Sequence, residues 1–141
     1  FINEKNFYHT DTKKRIIYKI KIDKNLNILE KKIFKKFLGV EGFPDGMTTD
    51  RFKNLWVCHF GGSSISVFNQ KGKKIYKIKL PAKNVTNCTF GGAKNNDLYI
   101  TTALKGLKEI DKKKYNLSGS LFKVRTNSKG MTSKSFNVIY D

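Results

Sequence analysis

Asp45 stands in the stretch Phe43-Pro44-Asp45-Gly46-Met47, with a proline fixing the backbone before it and a glycine freeing the turn after it. That setting puts a carboxylate at the rim of a strand rather than inside one, and scaffold-held rims concentrate binding and catalytic side chains. By spacing alone, an Asp before Gly is first of all a turn former. Asp50 closes the same strand and caps the following turn through its side chain. His59 ends the next strand, just before Phe60-Gly61-Gly62, and reads as a histidine packed against a neighbouring sheet. His9 has only a packing role. No phosphate-binding glycine loop, zinc-ligand cluster, nucleophile elbow or serine triad accompanies these residues.

Short strands must hold them in place. Arg15 to Asp23 alternates, with Ile16, Tyr18, Ile20 and Ile22 on one face and Lys19 and Lys21 on the other, as a half-buried antiparallel strand does. Leu26 to Phe37 also fits a helical spacing at Leu29, Ile33 and Phe37, but its turn-dense neighbours favour a further strand. Strands are then expected at Gly46–Asp50, Leu55–Phe60, Ser64–Asn69 and Lys73–Leu80. A third unit runs through Asn87–Phe90, Asp97–Thr102, Ser120–Arg125 and Ser135–Tyr140, with an insertion from Ala103 to Leu117. Four short strands with tight turns make one propeller blade. The expectation is an all-β chain of about three four-stranded antiparallel blades, over residues 1–42, 43–81 and 82–141.

Pro44-Asp45-Gly46-Met47, Asp50, Leu55-Trp56-Val57 and Phe90-Gly91-Gly92 followed by Leu98-Tyr99-Ile100-Thr101 resemble the gluconolactonase/regucalcin (senescence marker protein) family. The resemblance implies a six-bladed β-propeller that hydrolyses sugar lactones with a divalent metal. Six blades of roughly 40–45 residues exceed this chain by about twofold. The 141 residues, opening on Phe1, are therefore expected to be the C-terminal half of a longer protein. By the same resemblance Asp45 is a metal ligand and the general base, and His59 lines the substrate site; Asn87, at the start of an inner strand, is expected to face the channel and line the site too. Calcium, zinc, magnesium and manganese all suit such an oxygen-rich site. The family's remaining ligands, a Glu and Asn residues, fall outside the matching positions here, so the chain alone is expected to be inactive. The relatives carry glycine where Lys53 stands, and Asn54 next door is expected to take the left-handed conformation instead.

The formal charge is +18, from 29 Lys and Arg against 11 Asp and Glu. Such a balance can mark a nucleic-acid or anionic-membrane partner. Here the lysines fall in short clusters between strands, alongside abundant Asn and Ile, which points to codon composition rather than a binding surface. Aromatic residues at strand positions (Trp56, Phe60, Phe68, Phe90, Tyr99, Phe122) read as packing between blades rather than base-stacking platforms. Cys58 and Cys88 lie in apolar strands and fit reduced thiols, hence a cytoplasmic protein. No run of residues is apolar and long enough to span a membrane as a helix. The expected partner is a small sugar lactone, and no nucleic acid or membrane. Two other readings stay open: a non-catalytic propeller that binds a ligand or partner, and a basic nucleic-acid-binding protein.

Overall fold

A computed structural model describes residues 5–132. Three antiparallel sheets follow one another along the chain. The first holds β1 (Asn6–Asp11), β2 (Ile16–Ile22) and β3 (Ile28–Lys36), in that order. The second is a complete four-stranded meander of β4 (Phe43–Thr49), β5 (Leu55–Phe60), β6 (Ser64–Phe68) and β7 (Lys74–Lys79). The third holds β8 (Asn84–Gly91), β9 (Asp97–Ala103) and β10 (Leu121–Arg125). The expected strand Ser135–Tyr140 lies outside the described residues. Within the stretch Leu26 to Phe37 a strand does form, over Ile28–Lys36, and the insertion carries one short helix, α1 (Glu109–Lys114).

Three of the hairpins are closed by the same local chemistry. Asp23 Oδ1 accepts the amides of Asn25 and Asn27, Asp50 Oδ1 those of Phe52 and Asn54, and Asn69 Oδ1 those of Lys71 and Lys73. In each turn the residue before the last bonded amide is left-handed: Leu26 (φ 66°), Lys53 (φ 63°) and Gly72 (φ 76°). Lys53 thus takes the strained conformation itself, contrary to the expectation for Asn54. The reason is that Asn54 is pinned, with its amide and its Nδ2 both donating to the Asp50 carboxylate at 2.9 Å.

β5 explains the stacking of the sheets. Its run Leu55-Trp56-Val57-Cys58 is buried throughout. Leu55 and Val57 meet Ile17 and Phe37 of the first sheet, while Trp56 and Cys58 meet Val85, Cys88, Leu98 and Ile100 of the third. Successive side chains point to opposite faces, so one strand feeds two cores. Burying such apolar side chains is worth roughly 1.5–3 kcal/mol each. The aromatic residues mostly pack between sheets as expected: Trp56 is edge-on to Phe90 at 5.1 Å, and Phe68 edge-on to Phe37 at 5.7 Å. Tyr99 departs from this and covers Gly91 instead. On β2, Ile17 is fully buried against Leu55, Val57 and Phe68 of the second sheet, although strict alternation sets it on the face of Lys19 and Lys21.

Candidate functional site

β4 is longer than the sequence suggested. It begins at Phe43, so Asp45 lies within a strand and not at its rim. Pro44 pairs with His59 and Met47 with Val57, which leaves Asp45 and Gly46 together opposite Cys58. That is a β-bulge, a device that re-aims a side chain without ending the strand. β8 carries a second bulge: Val85 pairs with Thr102 and Asn87 with Thr101, leaving Thr86 as the extra residue. The two bulges nest. A methyl group on Gly46 would overlap Asn87 Oδ1 and come within 2.6 Å of the Thr86 backbone oxygen. Glycine is required here by close approach of the backbones, and that contact places Asp45 and Asn87 on neighbouring strands of one wall.

Burial pushes the Asp45 carboxyl above its ordinary range, and the Gly46 amide partly offsets this. A carboxylate held closer to neutrality is better matched to accepting a proton near neutral pH. Asn87 is exposed, and its Oδ1 accepts the Cys88 amide at 2.9 Å. Thr86 and Thr101, which the sequence reading passed over, join the same wall with their hydroxyls 2.7 Å apart. Thr101 closes the motif Leu98-Tyr99-Ile100-Thr101, whereas Thr86 is marked only by the polar character of Thr86, Asn87 and Thr89.

His59 is elsewhere. Only 1% of it is exposed, its Nε2 bonds Ser66 Oγ at 2.9 Å, and its ring meets Phe37 edge-on at 5.4 Å. Ser66 belongs to β6, on the opposite side of β5 from β4, so this imidazole is directed away from Asp45. Desolvation lowers its pKa to about 4, assisted by Lys77 and opposed by Glu41. Its Nδ1 is buried without a partner among the described residues. Asp50 is wholly structural: beyond the two turn amides, its Oδ2 accepts Asn54 Nδ2 and Trp56 Nε1, at 2.9 and 3.1 Å. His9 is exposed on β1.

For a divalent cation these residues fit in kind but not in number. Asp45 and Asn87 offer hard oxygen donors, yet among the described residues no group of three or more His, Cys, Asp or Glu could hold a metal ion. Cys58 and Cys88 are both free and buried behind this wall. No helix among the described residues is long and apolar enough to cross a membrane.

A family model described as the SMP-30/gluconolactonase/LRE-like region matches residues 3–104. Regucalcin of Xenopus laevis is 34% identical over 128 residues, which are 87% of this chain and 42% of the frog protein. A Bacillus subtilis protein named, provisionally, sugar lactone lactonase YvrE is 42% identical over 91 residues, covering 64% of this chain and 31% of its own. Among solved structures, a calcium-binding protein, regucalcin, from Agrobacterium tumefaciens superposes with a TM-score of 0.86 at 21% identity. That match takes in 95% of this chain and 46% of the other, and it speaks to the fold. The chain therefore spans less than half the length of these proteins.

Proposed function

The chain belongs to the SMP-30/gluconolactonase/LRE-like family, and from that premise we propose that it forms part of a hydrolase opening a sugar lactone to its sugar acid. The observation that carries this reading is Asp45, a half-buried carboxylate presented by a bulge on a rigid strand, with its pKa raised by burial. Water attacks the lactone carbonyl carbon while Asp45 accepts its proton. The ring C–O bond then breaks, the proton passes to the departing alkoxide, and the product is the open hydroxy acid. General-base help of this kind is worth roughly 10²–10⁴-fold in rate. Asn87 and Thr86, on the adjoining bulge, are the proposed partners of substrate hydroxyls.

Asp45 is also proposed as one ligand of a divalent cation (calcium, zinc, magnesium or manganese), with the other ligands supplied by residues beyond those described. Such an ion, when bound, polarises the lactone carbonyl as a Lewis acid. A single carboxylate does not hold a dication tightly, so the 141 residues alone are expected to be inactive. Burial of His59 favours its packing role; a role in lining the substrate site would require it to be uncovered in the complete protein. The free, buried thiols suit a cytoplasmic setting.

The test is hydrolysis of 1,5-gluconolactone by the complete protein, followed as acid release before and after chelation. Turnover lost on chelation and regained with added divalent cation is expected. Absence of turnover across aldonolactones, with and without cations, would favour the non-catalytic binding module instead.

A further inference from the structure

A groove of about 400 Å³, its surface mainly carbon, opens where the second and third sheets meet. Phe43, Phe60 and Leu107 line it, together with Gly61 and Gly106. Phe43 and Phe60 pair directly across β4 and β5, so their rings stand side by side on one face. It is the face on which Cys58, two residues before Phe60, meets the third sheet. Asp45, opposite Cys58 in the bulge, belongs to that face too. At about 3.3 Å per residue, Phe43 lies roughly 7 Å along the strand from Asp45, the length of a short alkyl chain.

We propose, resting on the lactone reading above, that this groove receives an apolar arm of the substrate. The lactone opened at Asp45 then carries a hydrocarbon chain in place of the hydroxymethyl end of a plain aldonolactone. Phe43, Phe60 and Leu107 are only half-buried and keep carbon surface open to such a chain. There is room for it, since a methyl built on Gly61 or Gly106 would meet nothing within 4 Å. Lys83, at the edge, does not make this an anion site, because its Nζ is already paired with Asp111 at 2.5 Å. A hydroxymethyl group laid against these side chains loses water without gaining their hydrogen bonds, whereas a hydrocarbon arm gains by leaving water.

The wall that carries Leu107 is fixed in advance. Asn84, only 2% exposed, donates its Nδ2 to the Lys105 carbonyl at 2.9 Å. The Leu107 amide donates to the Leu104 carbonyl at 3.1 Å and closes the turn. The Lys83 amide donates to Ser118 Oγ at 3.2 Å, which ties the far end of the insertion to the start of the third sheet. A groove held in this way binds an apolar arm with little ordering cost.

The probes are δ-hexalactone and δ-decalactone, which carry a methyl and a pentyl group where 1,5-gluconolactone carries its hydroxymethyl. Acid release by the complete protein, with divalent cation, gives kcat/KM for all three. Burying about two of the four added methylenes is enough for δ-decalactone to exceed δ-hexalactone by roughly tenfold. Phe60→Ala and Leu107→Ala should each cut that ratio by about threefold or more. A ratio of two substrates on one sample does not depend on the fraction folded. Equal or absent turnover of the two δ-lactones, with gluconolactone hydrolysed, would overturn the apolar-arm proposal and leave the lactone reading standing. A ratio unchanged in both variants would overturn the assignment to this groove. Hydrolysis of none of the three would overturn the lactone reading and this proposal together.

Discussion

Asp45 and Asp50 share a strand region but should behave oppositely, and Asp50→Ala is the sharper probe of the architecture. Asp50 is fully buried and accepts four hydrogen bonds: Phe52 N at 3.0 Å, Asn54 N and Nδ2 at 2.9 Å each, and Trp56 Nε1 at 3.1 Å. The three turn donors can partly rebond to water, at about 0.5–1 kcal/mol each. Trp56 is 0% exposed, so its indole N–H has nowhere to turn and costs about 1–3 kcal/mol. The sum is roughly 2.5–6 kcal/mol, a large part of the 5–15 kcal/mol that holds a domain together. Urea unfolding, followed by Trp56 fluorescence and circular dichroism, reads this as a drop in midpoint with unchanged slope. Trp56→Phe introduced into Asp50→Ala should cost less than in the wild type, with about 1–2 kcal/mol of coupling between the sites. A loss below about 1 kcal/mol for Asp50→Ala, or no coupling, would refute the assignment of Asp50 as the anchor of this turn.

Lys53→Gly should stabilise the protein by up to about 1 kcal/mol, since relief of a left-handed residue (φ 63°) outweighs the added chain entropy; the urea midpoint measures it. Gly46→Ala should destabilise by about 1–3 kcal/mol, because the new methyl meets not only the Asn87 side chain but also, at 2.6 Å, the Thr86 backbone oxygen, which cannot swing away. On the proposed reading, lactone turnover by the complete protein should fall as well, since the wall carrying Asp45 and Asn87 is pushed apart. His59 binds its proton less readily folded (about 4) than unfolded (6.5), so its contribution to stability is complete above pH 6.5 and is lost as pH falls through about 4. The span corresponds to about 3 kcal/mol at most, and His59→Gln should flatten that part of a melting-temperature profile.

The three-sheet meander was legible because strand alternation and Gly- or Asn-bearing turns are local signals. Trp56 and Phe90 could be read as packing residues for the same reason. The bulges could not. An extra residue at Asp45–Gly46 or at Thr86 changes pairing with a distant strand and leaves the local pattern intact. The turns were half legible: Gly72 announces its left-handed position, whereas Leu26 and Lys53 are forced into theirs by Asp23 and Asp50 carboxylates binding amides on both sides. His59 shows the limit for sites. Its place at a strand end was readable, but which sheet it faces depends on Phe37 and Ser66, whose approach is tertiary.

Asp45 is the proposed general base, and Asp45→Asn isolates that role. The amide keeps the shape and a carbonyl oxygen but cannot take up a proton. Initial rates of lactone hydrolysis by the complete protein, at saturating divalent cation, should show kcat lower by about 10²–10⁴-fold with melting temperature little changed. Wild-type kcat in Asp45→Asn under those conditions would contradict the account.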